Sequence, residues 1–222
     1  MDHFLYKFYC KHQLIFLQPL ERVVNPFHKG LRLFAVLSVL CFLTACTPSH
    51  KFTALVSDPP VAVSDFTLTG SDDSIFHLSD LRGKYILLEF GYTSCPDVCP
   101  ATLAQLRVAR EKLGTLAEQT AVVFVSVDPE RDTAERVRNY AHAFADDFVG
   151  VSGKVAEIDA ACEIFGEQYS LDKSKSSAET NYEVNHSAYV YVIDPQFRLR
   201  LTIPFGAQAE EIASDLRALM QE

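Results

Sequence analysis

Two cysteines stand four residues apart in the segment Phe90-Gly91-Tyr92-Thr93-Ser94-Cys95-Pro96-Asp97-Val98-Cys99-Pro100. A nearly unbroken apolar run ends at Phe90, and helical spacing starts soon after, which predicts a buried strand feeding a helix near Pro96. Proline suits a first helical position because no N–H is needed there. Cys95 then sits at the cap and Cys99 about one turn in, on the same helix face. Helix rise and twist put their Cα atoms ~6 Å apart. That separation lets two sulfurs grip one metal ion, and it lies near the upper edge of what a disulfide can close. A helix N-terminus lowers thiol pKa values, so both cysteines are expected to be thiolate-prone. Asp97 partly offsets this. The plain alternative is an ordinary disulfide in an exported protein. Position argues for a site, because α/β proteins place their sites at the C-terminal edge of central strands, whereas structural disulfides tie distant elements together.

The elements that must position these sulfurs follow from periodicity. Tyr85–Phe90 (YILLEF) reads as a strand covered on both faces, and Ala121–Val127 (AVVFVSV) as a second. Apolar residues at 103, 106, 109, 113 and 116 predict a helix over 101–116. A second helix is predicted over 133–144, capped by Thr133, and a third over 155–169 with Ile158, Cys162 and Phe165 inward. Val61–Leu68 and Ile75–Leu78 flank Gly70-Ser71-Asp72-Asp73 as an N-terminal β-hairpin. Residues 170–184 are polar and read as an excursion loop. Ala188–Ile193 and Leu199–Ile203 form a second hairpin around Asp194-Pro195-Gln196, and a helix over 210–220 closes the chain. The result is an α/β domain with a mixed central sheet flanked by helices. The order of a βαβ unit followed by a hairpin is that of a thioredoxin-like fold.

Two thiolates do not complete a metal site. The chain beyond residue 45 offers four histidines. His50 falls in a polar stretch, His77 in the first hairpin, and His142 on a helix where solvent is its expected neighbour. His186 ends the polar loop just before a buried strand. In a thioredoxin-like sheet, the turn before that strand faces the helix-one cysteines, which makes His186 the candidate third ligand.

Cys95-Pro-Asp-Val-Cys99-Pro, Ser126-Val-Asp128-Pro129-Glu130-Arg131-Asp132-Thr133 and Asn185-His186-Ser-Ala-Tyr, taken together, closely resemble the Sco/SenC family. The resemblance runs from about residue 60 to 220. It implies a membrane-tethered, thioredoxin-like copper metallochaperone that helps assemble the binuclear copper site of cytochrome c oxidase. It implies copper ligands at Cys95, Cys99 and His186. The copper-bearing oxidase subunit and an upstream copper donor are the implied partners. Soft thiolates with one imidazole suit Cu(I), and Cu(II) would add an oxygen or water ligand. A closed structural zinc site wants four protein ligands, where three are found. Asp97 and Asp128 are candidates for the shell behind the ligands. For Asp128 and Asp132 a capping turn, with Arg131 paired to an acid, is the alternative. Tyr92 and Tyr189 either line the site or pack in the core. The same cysteines also permit a thiol–disulfide reductase acting on the oxidase subunit's cysteines, or a redox sensor, with a Cys95–Cys99 disulfide in the oxidised form. Thioredoxin-type enzymes use C-x2-C and a cis-proline, where this chain has C-x3-C and Asn185-His186.

The rest of the sequence sets the location. The 222 residues carry 20 Lys plus Arg against 29 Asp plus Glu, a formal −9. Residues 1–45 hold five basic and two acidic side chains, so the remainder stands at a formal −12. Such acidity excludes a protein that tracks nucleic-acid phosphates. Leu31–Ala45 (LRLFAVLSVLCFLTA) has the length of a signal-peptide h-region. It ends in Leu43-Thr44-Ala45-Cys46, which resembles a bacterial lipobox with Cys46 lipidated. An uncleaved signal anchor is the alternative. Residues 1–45 are therefore expected to be a signal or anchor segment, with 1–30 an over-long start, and 46–60 a tether. Residues 61–222 form the domain, held in the bacterial cell envelope on the periplasmic or other extracytoplasmic side. Cys10 and Cys41 fall in the segment set aside, and Cys162 reads as buried packing.

Overall fold

The computed structural model describes residues 50–69, 74–173 and 182–222. Its centre is a six-stranded mixed sheet. In chain order the strands of the whole domain are β1 (Leu55–Ala62), β2 (Thr67–Thr69), β3 (Ile75–His77), β4 (Tyr85–Gly91), β5 (Thr120–Ser126), β6 (Val149–Val151), β7 (Tyr169–Asp172), β8 (Glu183–His186), β9 (Tyr189–Ile193) and β10 (Arg198–Pro204). The helices are α1 (Val98–Leu113), α2 (Ala134–His142), α3 (Val155–Phe165) and α4 (Ala209–Leu219). The sheet order is β1-β10-β9-β4-β5-β6. β4, β5 and β6 run parallel, and β9, β10 and β1 continue antiparallel. This is the expected thioredoxin-like architecture.

β4 and β5 sit at the middle because they are apolar on both faces, and almost every residue in them is buried. On one face Phe124 meets Tyr140 of α2, and α1 packs against α4. On the other, Phe90 and Tyr191 close on Phe165 of α3. Those aromatic contacts seal both layers around the strand that delivers the cysteines.

The expected elements are present, with shifted bounds and three corrections. The first hairpin is β2 with β3, in the register Leu68↔Phe76, and its turn at 70–73 lies outside the described residues. Residues 55–60, expected in the tether, belong instead to β1, paired with β10. The side chains of β1 are almost all exposed, so in composition it looks like a linker; its backbone bonds to β10 place it in the sheet. Second, the stretch expected as a polar loop holds an antiparallel ribbon, β7 with β8, in the register Tyr169↔His186. Third, α3 ends at Phe165 because Gly166 takes the left-handed conformation (φ 66°), which turns the chain into β7. Thr133 does cap α2, accepting the Arg136 N–H. Cys162 is buried on α3 as expected. The segment Leu31–Ala45 and Cys46 lie outside the described residues, and no described helix is long and apolar enough to cross a membrane.

The N-terminal strand is fastened by one carboxylate. Asp215 of α4 is 2% exposed and accepts the N–H groups of Thr53 (3.0 Å) and Ala54 (2.9 Å). His50, expected in the tether, lies with Nε2 2.7 Å from the same side chain. Asp215→Ala leaves two N–H groups without their charged acceptor, at a cost of about 2 kcal/mol. The expected outcome is a lower melting temperature and new limited-proteolysis cuts between residues 50 and 62. An unchanged digest would show that β10 alone holds β1.

Candidate metal centre

β4 ends at Gly91 for a steric reason. A Cβ there would lie 2.7 Å from Phe124 Cε2 and 2.8 Å from Cys99 Sγ, so the missing side chain is the seat of the buried sulfur. The chain then turns, with the Cys95 N–H donating to the Tyr92 carbonyl (3.2 Å). Asp97 is not helical (φ −143°), and α1 opens at Val98 rather than near Pro96. Cys95 therefore sits in the loop before the helix, not at its cap. Its sulfur still takes a helix-end donor, the Cys99 N–H at 3.4 Å. Cys99 is fully buried and Cys95 half-buried.

His186 arrives from the other side, on the last residue of β8. Its Nε2 lies 3.6 Å from Cys99 Sγ, and its Nδ1 lies 2.9 Å from the Ser187 carbonyl oxygen. Tyr92 packs edge-on against the imidazole with ring centroids 6.0 Å apart. One ligand atom each from Cys95, Cys99 and His186 lie within 4.8 Å of one another. No other such cluster of His, Cys, Asp and Glu occurs among the described residues. The remaining described histidines are elsewhere: His77 bonds Thr67 Oγ1, and His142 is exposed on α2. Tyr92, Pro96, Val184 and Ala188 line an open groove that leaves Cys95 and His186 accessible.

The two sulfurs share one proton. The Cys95 thiol is pulled down to about 3, first by the hydrogen bond from Cys99, then by His186 and the backbone N–H groups of Cys99 and Asp97. Cys99 is driven far above the ordinary thiol value, because it donates that bond, is buried and faces Glu89. The reduced pair is thus a thiolate at Cys95 beside a thiol at Cys99. Only one of the two expected thiolates forms in this pair. For His186, burial disfavours the cation, but the Cys95 sulfur, the Ser187 carbonyl and the charges of Cys95 and Glu167 outweigh it. The net shift is upward.

The candidate second-layer acids act at a distance from the sulfurs. The Asp97 side chain is exposed and makes no cap bond; the residue's backbone N–H is what supports Cys95. Asp128 is fully buried, pairs with Arg131 and accepts the Tyr182 hydroxyl. Asp132 accepts the Thr93 N–H (2.8 Å) and the Ser126 hydroxyl (2.6 Å), which ties the cysteine loop to β5. Tyr189 is 38% exposed and its ring lies 6.4 Å from that of Tyr191.

Sequence reasoning missed two buried acids. Glu89, inside the apolar run of β4, is 3% exposed, and its Oε2 has no hydrogen-bond partner among the described residues. Burial, reinforced by the Cys95 charge, raises its carboxyl well above the usual range. Its signal was a lone acid in a strand covered on both faces. Glu167 is 6% exposed and accepts the Ser187 N–H at 2.7 Å. No periodicity marked it.

The fold and this cluster define a thioredoxin-like domain carrying a two-cysteine, one-histidine group. The family model SCO1/SenC matches residues 56–221, and the chain belongs to that family. An SCO2-like protein of Rickettsia prowazekii is 33% identical over 66% of this chain and 71% of its own. The mitochondrial SCO1 homologue of Homo sapiens is 34% identical over 61% of this chain, but only 45% of its own. Among solved structures, apo Sco1 of Thermus thermophilus matches with a TM-score of 0.70 and 37% identity, covering 78% of this chain and 99% of that one. ScoI of Bradyrhizobium japonicum, solved with copper bound, matches at 0.63 and 31% identity, covering 71% and 98%.

Two outcomes test the electrostatics. Iodoacetamide at pH 5.5 labels Cys95 of the reduced protein and leaves Cys99 and Cys162 unmodified, as peptide mass mapping would read; equal labelling refutes the shared proton. Glu89 has a raised folded value, so its contribution to stability is full below ~4.3 and is lost as pH rises through the folded value. Glu89→Leu therefore melts progressively higher than the wild type as pH rises from 5 to 8; a constant gap would refute this.

Proposed function

We propose that the protein is a copper carrier. Copper is its cargo, held by Cys95 Sγ, Cys99 Sγ and His186 Nε2. One observation carries the reading: a thiolate, a thiol and an imidazole from two remote segments converge within 4.8 Å at an open groove. The copper-bound relative supports it. Two sulfurs and one nitrogen suit three-coordinate Cu(I), and Cu(II) adds water or another oxygen. Loading Cu(I) displaces the Cys99 proton, so Cys99–SH plus Cu(I) gives the Cys99 thiolate–copper bond and H⁺. The low coordination number leaves room for an incoming thiolate, which makes ligand exchange with a recipient feasible. The recipient is the copper-bearing subunit of cytochrome c oxidase, whose binuclear site is being assembled, and a second protein supplies the copper. Residues 1–45 act as the export signal, and lipidated Cys46 anchors the domain to a membrane of the bacterial envelope, facing the periplasm or another extracytoplasmic side.

The depressed Cys95 pKa favours a second reading, a thiol–disulfide reductase or redox sensor. The Cys95 thiolate attacks a disulfide of the recipient, and Cys99 resolves the mixed disulfide. That leaves Cys95–Cys99 oxidised and two recipient thiols free. Forming this bond removes both sulfur ligands, so the two roles exclude one another at any instant.

The reduced wild-type domain is expected to bind one Cu(I) per chain, and Cys95→Ser to bind it poorly or not at all. His186→Ala is expected to lose about 100-fold or more in affinity, since outer groups alone are worth about 10- to 100-fold. Competition titrations with Cu(I) and Cu(II) read both; unchanged affinity for both ions in His186→Ala overturns the carrier reading. Insulin reduction by the copper-free protein at enzyme-like rates would favour the reductase.

A further inference from the structure

We infer that Glu167 is the positioning residue of His186: its carboxylate grips the Ser187 peptide, and the Ser187 carbonyl in turn fixes which imidazole nitrogen faces the sulfurs. The inference rests on the ligand set proposed above and deepens it.

Glu167 lies nineteen residues from His186 in sequence, yet beside it in the fold. Its own backbone is pinned, because its N–H donates to the Cys162 carbonyl (2.9 Å) at the end of α3. Two residues later β7 begins, with Tyr169 opposite His186. Both carboxylate oxygens are used. Oε1 accepts the Ser187 N–H at 2.7 Å, and Oε2 accepts the Tyr191 hydroxyl at 2.9 Å. The Ser187 N–H also lies 3.2 Å from the Gln168 carbonyl, the longer and uncharged of its two contacts. The charge-assisted bond is the stronger one and holds the His186–Ser187 peptide, the link between the imidazole's own residue and Ser187, in place.

The other end of that residue faces the ring. The Ser187 carbonyl oxygen is 2.9 Å from His186 Nδ1. A carbonyl only accepts, so in the neutral imidazole the proton sits on Nδ1 and the lone pair on Nε2. Nε2 is the nitrogen 3.6 Å from Cys99 Sγ. Tyr92, edge-on at 6.0 Å, packs against the ring. Glu167 thus acts through Ser187, since its hydrogen bonds go to Ser187 and Tyr191. An amide at this position would have to turn a donor toward either the Ser187 N–H or the Tyr191 hydroxyl.

The test compares wild type, Glu167→Ala, Glu167→Gln and Tyr191→Phe. Tyr191→Phe removes the second contact and leaves the grip on Ser187. Long-range ¹⁵N–¹H correlation of the His186 ring is recorded on the reduced, copper-free protein through a pH titration, and the tautomer is read on the high-pH plateau of the ring shifts. The wild type and Tyr191→Phe are expected to show a single Nδ1–H tautomer, and Glu167→Ala a mixture, with Glu167→Gln between them. Copper affinity is expected to fall about 10- to 100-fold in Glu167→Ala and to stay near wild type in Tyr191→Phe. A Glu167→Ala protein with a lower melting temperature but an unchanged tautomer and affinity makes Glu167 a strut and overturns the inference. If Glu167→Ala does not fold, Glu167→Gln decides by the same two readouts. The tautomer measurement needs no metal, so a failure of the copper reading in His186→Ala remains separable from a failure here.

Discussion

A single guanidinium sits between the two segments that supply the ligand atoms. Arg131 donates Nη1–H to the Tyr182 carbonyl (2.9 Å) and pairs with buried Asp128. Its Cζ stacks 3.7 Å from the Tyr182 ring and lies 5.6 Å from the ring of Tyr92. Tyr92 belongs to the cysteine loop, and Tyr182 to the base of the strand that ends in His186. No covalent path shorter than 87 residues joins Cys99 to that imidazole. The cation and the aromatic faces around it provide the link. A buried guanidinium is tolerable only when paired, which explains the buried acid three residues before it.

Around that link, the site is a problem of placing protons. Cys95 holds a thiolate because Cys99 gives it a hydrogen bond, and Cys99 keeps its proton because a second buried anion beside it would be costly. Glu89 raises that cost further from beneath α1. On the opposite flank Glu167 faces the Ser187 turn and favours a charged imidazole. The copper-free cluster thus holds one thiolate at Cys95, one thiol at Cys99 and an imidazole whose charged form is favoured by its neighbours. Cys95 is half-buried at the groove, and Cys99 is fully buried behind it.

The parts that were legible in the sequence share one property: their residues are buried in a regular pattern or spaced by a motif. β4, β5, α1, the β9–β10 hairpin and the Thr133 cap follow from period and turn chemistry, and Cys95, Cys99 and His186 from motif spacing. Illegible parts broke that pattern. β1 has exposed side chains and two prolines, so only its pairing with β10 reveals it. The β7–β8 ribbon is polar because it lies outside the main sheet, and polarity reads as loop. The helix start was misplaced because Pro96 fits an N1 position, but Asp97 takes an extended φ. Glu89 and Glu167 look like ordinary acids until their burial is known. Asp128 was open between the metal site and a capping turn, and the structure spends it on Arg131 and Tyr182.

By itself, the sequence determined which atoms could hold a soft ion and which layers would carry them. Residue type fixes ligand chemistry, and local periodicity fixes burial. Only the tertiary structure decided that the imidazole reaches the sulfurs, which sulfur keeps the proton and which acids lie behind them. Those outcomes depend on distances of a few ångströms between residues far apart in the chain. A hydrogen bond or a desolvation cost exists only once packing has closed that distance.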